Sequence, residues 1–284
     1  MTWRLRSAAT LWAFGVVALS GCTSDTPLAA PTTAGTTPAA TDDAPPTLTS
    51  TQIIRLPAAA HDAVIPGLLT APAEVAQATA HRLRRDAPLF GADRRTPIAR
   101  LPAHDFLAER TVVTAIRAEG PWTLVLTPAR SILPSRATAA DPAPAQTAAW
   151  LPTAFLGAPG RLTDRIEISV SAQTLSIFQE GAATRTFPVG VGTPATPTPT
   201  NVTGYLQARY RDPDQGQIEH RIQLSSLHAT GADEPYAGDD GGLIGIHFQE
   251  TATGAVSHGC VRMDEVGISA VDALPLGTLI AVVE

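Results

Sequence analysis

The chain has 284 residues, room for a leader, a linker and one or two domains, and its formal net charge of −6 argues against nucleic acid as a partner. All 20 basic residues are arginine. The absence of lysine excludes a phosphate-loop lysine, a Schiff-base lysine and the Ser-x-x-Lys type of acyl-transfer site.

At the N-terminus, Arg4 and Arg6 precede an apolar run over residues 8–19, which ends in Leu19-Ser20-Gly21-Cys22. A basic start, a short apolar stretch and small residues at a cut site predict a secretory signal over residues 1–21. The run of about a dozen residues falls short of the ~20 that span a bilayer. The Leu-Ser-Gly-Cys ending resembles the bacterial lipobox. That resemblance implies that Cys22 carries a lipid anchor and that the protein is extracytoplasmic, held at the outer face of the cell membrane. Only two cysteines occur in the chain, so Cys260 is then left without a disulfide partner. A single thiol kept in an oxidising compartment points to reactivity.

Residues 22–51 are rich in Thr, Ala, Pro and Asp and lack aromatic residues, which predicts a disordered tether. A flexible segment of that length spans about 30 Å root-mean-square. Residues 52–86 read as a partly helical connector. Thr70 would cap a helix, Pro72 would sit in its first turn and Glu74 would favour its dipole, with the helix running through Val75 and Ala78 towards Leu83. Residues 87–156 predict a small all-β module: the apolar runs at 111–116 and 122–126 are separated by Gly120-Pro121, and residues 136–149 read as a loop insertion. Pro88-Leu-Phe90, the segment from Trp122 to Arg130, and Trp150-Leu-Pro152 resemble bacterial SH3-like modules. The resemblance implies a small β-barrel, either a spacer or a cell-wall-binding element.

From residue 160 to 284 the pattern predicts a second, mainly β domain. Ile166, Ile168 and Val170 alternate with polar residues, Leu175 and Ile177 repeat the alternation, Glu180-Gly181 makes a turn, and residues 186–191 form another short strand. Residues 192–200, Gly-Thr-Pro-Ala-Thr-Pro-Thr-Pro-Thr, hold too much proline for a central strand and read as a rigid connection. Asp264 would cap a short helix presenting Val266, Ile268 and Val271, and Gly277-Thr278 would turn into a last strand over residues 279–283.

The chemistry concentrates in Ser257-His258-Gly259-Cys260-Val261-Arg262-Met263, with His247 upstream at the end of an apolar strand. A free cysteine with a pKa of ~8.5 is only a few per cent thiolate at neutral pH and needs a base or a cation nearby. His247 is the candidate base. Gly259 permits close backbone approach, so the Gly259 and Cys260 amides are expected to form an oxyanion hole with Ser257 and His258 around it. Arg262 is either a fixed cation for a substrate carboxylate or a partner of Asp264 or Glu265. Zinc on His247, His258 and Cys260 would lack a fourth protein ligand, so no metal and no cofactor is expected. His220 and His228 belong to no motif.

Residues 165–284 resemble an L,D-transpeptidase catalytic domain of the YkuD type. The resemblance rests on the paired opening strands, the Gly-x-Pro-x-Thr-Pro-Thr segment, Ile244-Gly-Ile-His247 and the Ser-His-Gly-Cys-x-Arg core. The loop between His247 and Ser257 is trimmed relative to the family. The resemblance implies a β-sandwich with a short helix after the nucleophile. It also implies Cys260 as nucleophile, His247 as proton donor and acceptor oriented by the backbone carbonyl of Phe248, and an assisting role for Tyr236. Peptidoglycan stem peptides, a donor tetrapeptide and an acceptor stem, would be the partners. Cross-links between third residues would form through a cysteine thioester as D-alanine leaves. A hydrolase that trims stems or cross-links, and a silent wall-binding lipoprotein, are the other readings.

Overall fold

The structure is a computed structural model that describes residues 43–233, 237–238 and 240–284. The signal, Cys22 and most of the tether therefore lie outside the described residues. Helix α1 (Ser50–Ile54) is followed by β1 (Leu69–Thr70), β2 (Thr79–Leu83), β3 (Ala87–Phe90), β4 (Pro97–Leu101), β5 (Val112–Glu119), β6 (Trp122–Thr127), β7 (Thr147–Pro152) and β8 (Leu156–Arg161). These strands form one sheet in the order β4-β3-β7-β6-β5-β2-β8, with β1 paired to β7. Next come β9 (Asp164–Ser169), β10 (Thr174–Gln179), β11 (Ala182–Pro188), β12 (Gly190–Gly192), β13 (Val202–Asp212), β14 (Gln217–His228), β15 (Leu243–Phe248), β16 (Gly254–Ser257), β17 (Val261–Met263), α2 (Glu265–Asp272) and β18 (Leu279–Val283). The second sheet runs β11-β10-β9-β18-β13-β14-β15-β17-β12-β16.

Alternation builds the second domain as the sequence predicts. Ile166, Ile168, Leu175 and Ile177 face a core shared with Ile246, Val261, Met263, Ile268, Val271 and Ile280. Glu180 and Gly181 both take positive φ, the conformation a tight hairpin between β10 and β11 requires. Asp264 caps α2 by accepting the Gly267 N–H at 2.7 Å. Val266 departs from the expected apolar face: it is exposed, while Ile268 and Val271 are buried.

Three expectations about the N-terminal half are corrected. Residues 70–83 hold no helix; they contribute β1 and β2, because β2 has β5 and β8 to pair with on either side. Tertiary pairing there overrides the local capping signals. The helix of this region is instead α1, closed by a capping box between Thr49 and Gln52. The expected tether does not run to residue 51, since the buried Trp122 indole donates to Asp43 O at 2.7 Å and Leu48 packs on the core. Residues 147–149, read as loop, begin β7.

Residues 43–284 belong to a single compact unit, so the upstream β module does not hang from the second β domain as a bead on a string. Phe90, Trp122, Leu124 and Trp150 of the module share a core with Tyr205 and Leu279. Polar bonds cross the same boundary: Thr114 Oγ1 donates to Gly277 O at 3.1 Å and Thr203 Oγ1 to Ala73 O at 2.7 Å. His228 is buried there, and its Nε2–H donates to Pro128 O at 2.9 Å, which fixes the neutral tautomer. Burial first, then the nearby charge of Arg130, pulls its pKa from 6.5 down to about 3, against the Pro128 hydrogen bond. An unfolded chain takes up this proton near pH 6.5, and the folded chain resists it until about pH 3. The stability is thus complete above pH 6.5 and drains as the pH falls towards 3, by up to about 1.4 kcal/mol per unit. Urea unfolding at pH 7, 5 and 4 is expected to show this slope, and His228→Gln to flatten it; equal slopes in both proteins would contradict it.

Candidate active site

Parallel pairing of β15 with β17 assembles the site. Ile246 pairs with Val261, His247 with Arg262 and Phe248 with Met263. Residues paired in register point to the same side of a sheet, and side chains alternate along each strand. His247 and Arg262 therefore share a face, and Cys260, two residues before Arg262, extends that face towards Gly245. The Gly245 N–H donates to Cys260 Sγ at 3.4 Å. A Cβ at residue 245 would lie 3.9 Å from that sulfur and 3.3 Å from Ile222, so glycine keeps the thiol's flank open.

His247 Nδ1 lies 3.0 Å from Phe248 O. A carbonyl only accepts, so Nδ1 carries the proton and Nε2 is left with a free lone pair. Burial lowers the pKa of His247, the Phe248 carbonyl opposes this, and the charge of Arg262 adds to the lowering. Cys260 is pushed the other way. Burial raises its pKa, the Gly245 N–H and Arg262 pull it back, and Asp233 raises it further. Both shifts favour the uncharged forms, an imidazole on His247 and a thiol on Cys260. Arg262 is half-buried, its Nε has no hydrogen-bond partner, and it makes no ion pair with Asp264 or Glu265 among the described residues.

The turn that carries the cysteine corrects part of the oxyanion expectation. The Gly259 N–H donates to Ser257 Oγ at 3.2 Å, and Ser257 Oγ donates to Cys260 O at 2.5 Å. Ser257 is buried and closes the turn, and the Gly259 amide is already engaged by its hydroxyl. Gly259 is required for another reason: its φ is +103°, and a Cβ there would meet Ile244 Cδ1 at 2.9 Å. His258 is about half exposed, with Nδ1 2.7 Å from Asp233 Oδ1. Tyr236 lies outside the described residues. His220 packs on Phe248 with ring centroids 4.8 Å apart. Among the described residues, no group of three or more His, Cys, Asp or Glu side chains could hold a metal ion.

Two parts of the site escape sequence reasoning. One is Asp233, which precedes His258 by 25 residues and carries no motif. The other is the role of the Pro/Thr segment, which the sequence reads as a rigid connection and which in the structure cradles the turn before Cys260. Thr193 N and Thr196 Oγ1 donate to Ser257 O at 3.0 and 3.1 Å, and Thr198 Oγ1 donates to Gly259 O at 2.8 Å while accepting from Gly192 N at 2.9 Å. Its alternation of rigid proline with hydroxyl-bearing threonine is the signal that could have found it. Thr198 is 2% exposed, so Thr198→Val leaves a buried N–H and a buried carbonyl unpaired. The expected cost is about 2 kcal/mol or more, a fall in Tm of roughly 4–8 °C. Calorimetry giving a Tm within about 1 °C of wild type would contradict the cradle.

A separate cavity of about 220 Å³, lined by residues including His61, Leu101, Phe106 and Tyr205, contains none of the motif residues. No helix among the described residues is long and apolar enough to cross a membrane.

Residues 163–282 match the YkuD family, described as the L,D-transpeptidase catalytic domain. No curated protein matches the chain. Solved structures similar to it include an Enterococcus faecium L,D-transpeptidase variant, 18% identical, covering 42% of this chain and 49% of that one, with a TM-score of 0.30. Mycobacterium tuberculosis L,D-transpeptidase 1 is 19% identical over 49% of this chain and 78% of that one, at a TM-score of 0.32. An L,D-transpeptidase from Mycobacterium smegmatis is 16% identical over 62% of this chain and 91% of that one, at 0.35. The chain spans about half the length of the Enterococcus faecium protein.

Proposed function

We propose, from the premise that residues 163–282 are an L,D-transpeptidase catalytic domain of the YkuD type, that the protein joins peptidoglycan stem peptides through an acyl-enzyme on Cys260. The thiol attacks the carbonyl of the third residue of a donor tetrapeptide. His247 Nε2 takes the thiol proton and returns it to the departing D-alanine, which leaves a thioester. An amine of an acceptor stem, deprotonated by His247, resolves the thioester into an amide between two third residues and frees the thiol. The Cys260 amide is the proposed oxyanion donor, a contribution of about 3 kcal/mol for one such bond. Arg262, which has no ion-pair partner among the described residues, is the proposed cation for a stem carboxylate.

The observation that carries this reading is the register of β15 and β17. His247 pairs there with Arg262, which supports a shared face with Cys260 two residues earlier, and the Phe248 carbonyl holds the Nδ1–H of that histidine. Mass spectrometry of muropeptides incubated with the protein tests it. Dimers joined through third residues are the expected product. Free tripeptides alone would make the protein a hydrolase, and unchanged muropeptides would make it a silent module. Lipid attachment at Cys22, which would hold the enzyme outside the cytoplasm, is proposed from the lipobox; a mature N-terminus unmodified by lipid would overturn it.

A further inference from the structure

We propose that the upstream β module is a working part of the active site, with Arg130 and Ser135 holding the neck formed by residues 229–233 and 240–242 in the place from which Asp233 fixes His258, two residues before the proposed nucleophile. The catalytic half of this proposal rests on the acyl-transfer reading above; the positional half does not.

Arg130 follows β6 and is 7% exposed. Its backbone is locked to residues 63–65: Arg130 N donates to Ala63 O at 2.9 Å, and Ile65 N donates to Arg130 O at 2.8 Å. From that fixed base the guanidinium reaches into the catalytic domain. Nη1 donates to Ala229 O at 3.0 Å, and Nη2 donates to Gly241 O and, at 3.3 Å, to Gly242 O. Those carbonyls are the entry and exit of one loop, whose neck is closed by Ala229 N on Gly242 O at 2.9 Å and Gly241 N on Gly231 O at 3.0 Å. The planar fork of an arginine can span both arms of such a neck; a single ammonium cannot. The neck is also tight, since a Cβ at residue 241 would stand 2.6 Å from Ala229 Cβ.

Ser135 supplies a second fastening. Its N–H and its hydroxyl donate to the two oxygens of Asp240 at 2.5 and 2.8 Å. On the entry arm of the same loop sits Asp233, 3% exposed, with Oδ1 on His258 Nδ1 at 2.7 Å. Its Oδ2 is buried without a hydrogen-bond partner among the described residues, and its Oδ1 is taken by the histidine. Nδ1 then carries the proton, and the half-exposed ring stands two residues before Cys260 in the chain. The turn below is already held by the Pro/Thr segment, and Asp233 is the contact that fixes the ring above it. Arg130 and Ser135 touch no reacting atom; they are positioning residues that act through Asp233 and His258.

The test uses the full-length chain and its Arg130→Gln, Asp240→Asn, Asp233→Asn and His258→Ala variants, with folding checked by circular dichroism. The first readout is the His258 Nδ1–H resonance, which a short bond to a carboxylate moves downfield. It is expected in wild type, lost in Asp233→Asn and lost or shifted in Arg130→Gln. The second readout is D-alanine release from a tetrapeptide. His258→Ala is expected to lower kcat about tenfold or more. Arg130→Gln and Asp240→Asn are expected to lower it about three- to tenfold with little change in KM, and to add nothing in the His258→Ala background. Factors that multiply in the double variants, or an unchanged His258 resonance in Arg130→Gln, would overturn the proposal. If Arg130→Gln does not fold, Asp240→Asn decides both readouts. If wild type releases no D-alanine, the transpeptidase reading fails, and the resonance alone decides whether the module fixes His258.

Discussion

Cys260→Ala is expected to lower D-alanine release by at least about a thousandfold, because without a covalent nucleophile only binding and oxyanion stabilisation remain. The fold should tolerate the change. Cys260 is half-buried, and among the described residues its sulfur makes two long hydrogen bonds, with Gly245 N at 3.4 Å and Leu243 O at 3.8 Å. Their loss is worth about 1 kcal/mol or less, so the melting transition should shift by only a few degrees. Loss of rate with retention of fold assigns the effect to chemistry. Cys260→Ser should behave similarly, since an alcohol is far harder to deprotonate than a thiol and His247 is neutral at rest. A Cys260→Ala protein that releases D-alanine at the wild-type rate would place the nucleophile elsewhere.

His247→Gln is expected to cost about 10²–10⁴-fold in kcat/KM, the range for removing a positioned general base. Glutamine can still donate to Phe248 O but offers no basic nitrogen. The pH dependence carries additional information. Burial holds the His247 pKa below its ordinary value, so the acid limb of the wild-type rate profile is expected below the usual histidine range. Burial holds Cys260 above the usual thiol range, so iodoacetamide labelling of its peptide should rise only in alkaline solution. In His247→Gln the acid limb should vanish along with most of the rate. Rapid labelling of Cys260 at pH 5 would instead reveal a preformed thiolate–imidazolium pair and contradict the assignment.

The catalytic half of the fold was readable because its signals are local. Alternation at Ile166, Ile168, Leu175 and Ile177 fixes which faces are buried, the turn at Glu180-Gly181 sets the hairpin, and Asp264 caps α2. The candidate nucleophile and candidate base stand out for a similar reason, since Cys260 and His247 belong to segments whose residue types suggest that chemistry. What escaped depends on contacts between distant segments. Residues 70–83 carry every local mark of a helix start, yet partners supplied by β5 and β8 draw them into a sheet. Gly259 is needed for a positive φ, and the serine that receives its N–H cannot be guessed from the motif alone. Asp233 meets His258 across 25 residues of chain, and Arg130 meets Ala229 across 99, and a linear pattern encodes neither apposition.

The central claim is a thioester on Cys260, and trapping it is the most direct measurement. The protein is incubated with a donor tetrapeptide stem and no acceptor amine, then quenched in acid and weighed intact. The account predicts a mass increase equal to the tripeptide acyl group, mapped to the Cys260 peptide after digestion, absent from Cys260→Ala, and discharged when an acceptor stem is added. Release of D-alanine with no adduct on Cys260, or with an adduct on another residue, would contradict it.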